Sequence, residues 1–144
     1  MNSTEKINFF FEDTEQFELD KDKYREWINK IIKSEGSVPG FLNVIFVSDK
    51  YILQLNKKHL NSDYYTDVIS FDYSDPLEEN ICGDIFISID TVKANAKKFN
   101  QETRNEILRI VAHGLLHLLG YDDKTDEAKN EMKSKEDFYL EEFC

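Results

Sequence analysis

A chain of 144 residues with 40% hydrophobic content is long enough for one globular domain with a sizeable core, and its 11 Phe and 7 Tyr exclude a disordered chain. Twenty-nine acids against 18 basic side chains give a formal charge of −11, which taken alone disfavours a polyanion-binding protein with a broad basic footprint. The acids gather at the ends. Residues 122–144 carry nine acids and four lysines, and residues 1–20 carry six acids and one lysine. Between Thr91 and Ile110 the balance reverses: Lys93, Lys97, Lys98, Arg104 and Arg109 face only Glu102 and Glu106.

Five Gly and 2 Pro leave little material for linkers, so one domain over residues 1–144 is expected. No N-terminal stretch has the build of a signal peptide: the apolar run in KINFFF is short and runs into acids. The longest apolar run, residues 107–119, is interrupted by Arg109 and two histidines and cannot span a bilayer. Cys82 and Cys144 lie far apart in sequence, the latter expected to be frayed. A soluble cytoplasmic protein with free thiols is expected from these features.

In chain order, residues 7–11 form an aromatic-rich strand closed by acids. Tyr24, Trp27, Ile28 and Ile31 recur at helical spacing and predict a helix over 21–33, ended by the turn-forming GSVPG. Residues 41–47 are nearly continuously apolar, as a buried strand requires. A short helix over 50–58 presents Ile52, Leu53 and Leu55. Two strands, 67–73 and 81–89, flank the turn-rich SDPLEEN. In the second, Ile85, Ile87 and Ile89 alternate against Phe86 and Ser88. Three helices, over 90–99, 103–119 and about 125–143, complete the chain. Strands early and helices late predict an α+β protein: a single mixed sheet of about four strands packed with about five helices.

The chemistry concentrates in VAHGLLHLLGYDDKTDE. On a helix, His113 and His117 differ by about 40° in azimuth and about 6 Å in rise, so both imidazoles can converge on one ion. The helix is apolar on almost every side, and two neighbouring imidazoles inside a core need partners; one metal satisfies both. Gly120 is a natural helix-ending residue, and the turn it allows brings Asp122 or Asp123 beside the histidines. Two His nitrogens and one carboxylate suit zinc, with the fourth position left for water. Gly114 costs about 1 kcal/mol in mid-helix relative to Ala. Either it opens space beside the ion for substrate, or it allows close helix packing. Asp123 or Thr125 could also cap the last helix, and with several capping groups at hand, capping and metal ligation can coexist.

The His-x3-His-x2-Gly-x2-ligand spacing matches metzincin proteases, but Gly114 stands where their catalytic Glu would be. HGLLHLLGYDD more closely resembles the HGxLHLxGYDH signature of the YbeY family, rRNA maturation factors described as single-strand-specific metallo-endoribonucleases. TDVISF (66–71) resembles the family's TDVLSF, GDIFIS (83–88) its GDIxIS, and Leu55-Asn56 the start of its LNxxYR segment. Met132 and Glu136 also stand where the family's last helix has similar residues, so the resemblance spans about residues 40–140. It places the third ligand at Asp123, where the family usually has His; a carboxylate there broadens metal choice towards Mn or Fe. The family's Arg is replaced by Leu60, with His59 at its Tyr position, and its Pro before TDV by Tyr65.

The resemblance implies an endoribonuclease acting on single-stranded rRNA near the 3′ end of the small-subunit rRNA, with the small ribosomal subunit as partner. One zinc per chain is expected on His113, His117 and Asp123, with His113 and His117 also the catalytic residues. Lys57, Lys58, Lys93, Lys97 and Arg104 are candidates for phosphate contact. Two other readings stand beside this one: a metalloprotease-like hydrolase, and a ribosome-assembly binding protein with a structural metal.

Overall fold

A computed structural model describes residues 6–60, 67–75, 77 and 80–143, and of positions 59 and 60 the backbone alone. Its strands are β1 (Ile7–Phe11), β2 (Val38–Val47), β3 (Val68–Asp72) and β4 (Asn80–Ser88). Its helices are α1 (Lys21–Ser34), α2 (Asp49–Leu60), α3 (Ile89–Lys98), α4 (Thr103–Leu118) and α5 (Asp126–Phe143). The strands form one sheet in the order β1-β2-β4-β3. β1, β2 and β4 run parallel, and β3 pairs antiparallel with β4. The expected α+β architecture, a mixed four-stranded sheet with five helices, is what the described residues show.

Alternation in the strands divides the core between the two faces of the sheet. Leu42, Val44 and Phe46 of β2, with Ile85 and Ile87 of β4, point to the face covered by α1, α4 and α5. Ile45 and Val47 point the other way, to a smaller cluster with Ile52 of α2 and Ile69 of β3. The predicted α1 stripe is buried as read: Tyr24, Trp27, Ile28 and Ile31 all face the larger core. Trp27 satisfies its one polar atom by donating from Nε1 to the Tyr139 carbonyl (2.7 Å), which ties α1 to α5.

Several boundaries differ from the sequence reading, two of them for a clear local reason. GSVPG is not wholly a turn: the helix-ending hydrogen bonds, Gly36 N to Lys33 O and Ser37 N to Ile32 O, finish by Ser37. β2 begins at Val38, and Pro39 is accommodated where the register against β4 shifts between Pro39 and Leu42. A missing N–H is tolerated at such an irregularity, so the proline does not end the strand. Likewise Ile89, expected as the last strand residue, opens α3, with Ser88 as N-cap accepting from Thr91 N.

α4 is the central helix. Ile107, Leu108, Ile110, Val111, Ala112, Gly114, Leu115, Leu116 and Leu118 are all buried. Arg109, His113 and His117, four residues apart, lie along one seam that is only half-buried. No described helix is long and apolar enough to cross a membrane.

Candidate metal centre

The sheet brings α4 close by way of Gly114. A Cβ there would lie 2.7 Å from Ile85 Cγ2, 3.1 Å from Val68 Cγ2 and 3.2 Å from Ser70 Oγ. The Ser70 hydroxyl donates to the Gly114 carbonyl at 3.0 Å. Of the two roles the sequence allowed for Gly114, close packing is therefore the one observed. Position 114 faces the sheet, where the space a Cβ would need is already occupied.

α4 then ends in a double hydrogen-bonded turn. Gly120 N donates to His117 O and Tyr121 N to Leu116 O, with Gly120 at φ 104°, a conformation that L side chains rarely adopt. The turn returns the chain over the helix end and brings Asp123 to His113, with Oδ2 3.8 Å from Nε2. Competing roles for the neighbouring acids are settled locally. Thr125 caps α5 by accepting from Ala128 N (3.0 Å), and Asp122 accepts from Lys124 N (3.1 Å). Neither task falls to Asp123. His113, His117 and Asp123 each offer one ligand atom, and these atoms lie within 4.8 Å of one another.

The hydrogen bonds around the two rings determine what lies between them. His117 Nδ1 is 3.1 Å from the Tyr121 carbonyl, which only accepts, so Nδ1 carries the proton. His113 Nδ1 is 2.7 Å from Glu136 Oε2, a carboxylate that likewise calls for a donor. With both Nδ1 atoms protonated, two neutral rings would aim lone pairs at each other across the 3.1 Å between their Nε2 atoms. Only a cation satisfies that arrangement, either an added proton or a metal ion. A tetrahedral ion about 2.0–2.2 Å from each donor sets donors about 3.3–3.6 Å apart. The observed 3.1 and 3.8 Å bracket that spacing. The residues present fit a divalent metal.

Charge around the site separates the two imidazoles. Burial lowers the His113 pKa, but the hydrogen bond and charge of Glu136, aided by Asp67 and Asp123, outweigh it and leave it raised. For His117, burial and then the charge of His113 lower it. Glu136 is itself buried, 7% exposed, and is held by Arg109, whose Nη1 lies 3.0 Å from Oε1 while Nη2 reaches Asp137 at 2.7 Å. The sequence placed Glu136 in the last helix by resemblance alone and read Arg109 only as a charge. The i, i+4 spacing of residues 109, 113 and 117 was the available signal for Arg109.

A cleft of about 420 Å³ opens beside His113 and Asp123, between α3, α4 and α5. Asp67, from the TDVISF segment, lines it, and burial pushes its carboxyl above the usual range. None of the five cationic residues expected at phosphates lines this cleft; Arg109, Lys129 and Lys133 do. Lys58 borders a separate cavity with Asp13 and Tyr51, and Arg104 lies over the Phe143 ring. The side chains of His59 and Leu60, with Tyr65, Thr66 and Cys144, lie outside the described residues. Cys82 is a free thiol.

A mixed sheet backing a central helix, with two imidazoles on one seam and a carboxylate returned by the next turn, defines an α+β protein with a His/His/Asp metal-binding site. The chain belongs to the YbeY family: the family model described as Endoribonuclease YbeY matches residues 9–144. A Cytophaga hutchinsonii protein named Endoribonuclease YbeY is 48% identical over 137 residues, covering 94% of this chain and 95% of that protein. Its Flavobacterium johnsoniae namesake is 43% identical over 132 residues, covering 91% and 92% respectively. A Thermotoga maritima protein solved in solution superimposes with a TM-score of 0.66 at 32% identity, covering 95% of this chain and 88% of that one.

Proposed function

We propose that this chain is a metal-dependent endoribonuclease that cuts single-stranded RNA, acting on rRNA near the 3′ end of the small-subunit rRNA. In this reading residues 1–144 work as one domain, in the cytoplasm and on the small ribosomal subunit. The observation that carries it is the pair of Nε2 atoms facing each other at 3.1 Å with Asp123 alongside, in a chain of the YbeY family.

His113, His117 and Asp123 would hold the ion. Two imidazole nitrogens and one carboxylate oxygen favour one zinc per chain with one position left open, and the carboxylate also admits other divalent transition metals. When bound, such an ion supplies Lewis acidity at a phosphoryl oxygen and acidifies a water to near neutral pH. The chain's own residues do the rest. Glu136 and the Tyr121 carbonyl hold the two Nδ1 protons, which keeps both Nε2 atoms available. Position 114 supplies no general base, because it is glycine and has no side chain. The attacking group is therefore water or the RNA's own 2′-hydroxyl, and a metzincin-like peptide hydrolysis lacks its glutamate. The net charge of −11 keeps a ribosome-assembly role with a structural metal as the second reading.

Incubating metal-loaded protein with one RNA sequence, as a single strand and as a duplex, separates the two. Cleavage of the single strand alone, abolished by chelation and in His113→Ala, is expected. A fully metal-loaded protein that leaves both RNAs intact would assign the assembly role.

A further inference from the structure

The cleft beside His113 and Asp123 has a second half that the metal group does not use. Its floor is apolar, formed by Ile110 and Met132, 5% and 1% exposed. Its wall is Phe99, the residue that closes α3, with its side chain largely in solvent at 59% exposed. Asn95, one turn back on α3, also lines it, and among the described residues its side-chain amide makes no hydrogen bond. Lys129 and Lys133 stand on the rim from α5, exposed and without an ion pair among the described residues. Lys98 lies 5.4 Å from the Phe99 ring centroid. An exposed ring, an unengaged amide and two unpaired ammonium groups contribute little to folding. They are the parts of a site that takes a flat, polar-edged aromatic ring attached to a polyanion.

We propose that this half of the cleft is the subsite for one nucleobase of the single-stranded RNA, next to the phosphodiester presented to the metal group. This rests on the endoribonuclease reading and adds to it where the strand lies. Phe99 stacks on the base, Asn95 meets its hydrogen-bonding edge, and Lys129 and Lys133 meet the flanking phosphates. The cleft, about 420 Å³, is within the size range of pockets that take small ligands. A base has both faces free for such stacking only when it is out of a helix, so the subsite would itself select single strands. The cleft lining carries Asp67, Glu106, Asp123 and Glu136 against Arg109, Lys129 and Lys133, and Lys98 beside Phe99 adds a further positive charge at that end.

The test uses a short oligoribonucleotide with every 2′-hydroxyl methylated, as a probe of binding with self-cleavage through that group blocked. Phe99→Trp places a reporter in the subsite; the native Trp27 is 3% exposed and makes a constant background. Quenching of the new indole by the probe is expected. So is a loss of probe affinity on the order of tenfold or more in Phe99→Ala, accompanied by a raised KM for unmodified RNA with metal content unchanged. Lys129→Gln with Lys133→Gln should flatten the salt dependence of binding by a slope of about 1.4. Phe99 is a surface residue, so its variants keep the core intact. Protein that cuts RNA with the same KM in Phe99→Ala, and whose Phe99→Trp form is not quenched, overturns the subsite and leaves the enzyme reading standing. Protein that is quenched and binds as predicted but cuts no RNA keeps the subsite and removes the enzyme reading.

Discussion

Glu136 is shared between His113 and Arg109, and that sharing determines what its replacement does. In Glu136→Gln the amide oxygen can still accept from His113 Nδ1, but the charge that holds Arg109 and favours the cationic site is gone. Metal affinity should fall by about 10- to 100-fold, measured by titration against a competing chelator. An unchanged affinity would mean that His113 is oriented without it. Glu35 works further out. It accepts from the Tyr121 hydroxyl (2.6 Å), from Lys135 Nζ (3.1 Å) and from the Tyr139 hydroxyl, linking α1 to the turn that carries Asp123 and to α5. Burial pushes the Glu35 carboxyl up, but those hydrogen bonds outweigh it and leave its pKa below the usual range. A depressed folded-state pKa means that the unfolded state takes up the proton first as pH falls. The stabilisation is therefore complete above the unfolded value of about 4.3 and is lost as pH drops through the lower folded value. Glu35→Gln should lower the Tm at neutral pH, and the gap to the unsubstituted protein should narrow below that range. A gap that stays constant down to acid pH would contradict the assignment.

Among the elements, α4 carries the site, and its position depends on Gly114. Gly114→Ala gains helix propensity of about 1 kcal/mol. Against that, it drives a methyl into the branched side chains of Ile85 and Val68 and the Ser70 hydroxyl. Overpacking of about 1–3 kcal/mol should win, giving net destabilisation in denaturant melts. A more stable Gly114→Ala would show that the sheet can yield. Helix periodicity in the sequence located α1 and α4 because their buried faces repeat at helical spacing, as Trp27, Ile28 and Ile31 show. It misplaced the start of β2 because Pro39 and Gly40 read as a turn, while the register shift against β4 absorbs them within the strand. The role of Gly114 was undecidable locally, since its neighbours come from β3 and β4, 29 or more residues away. Glu136, 23 residues beyond His113 in an acid-rich helix, is marked in the sequence by resemblance alone, and its bond to His113 arises only where α5 packs on α4.

For the whole molecule, the half-buried seam of α4, the turn at Gly120 and the α5 face with Glu136 converge at one place between helices and above the sheet. The two histidines were legible because both lie on one helix. The third residue was narrowed to Asp122 or Asp123 by the turn, and resemblance selected Asp123. The folded chain turns Asp123 towards His113, while Asp122 is engaged with the Lys124 amide. The most direct measurement is the metal content of purified, zinc-loaded protein after gel filtration, compared with His113→Ala, His117→Ala and Asp123→Ala. One ion per chain, lost in both histidine variants and weakened but recoverable at higher zinc in Asp123→Ala, is the predicted result. A protein without stoichiometric metal, or equal metal in all four proteins, would contradict it.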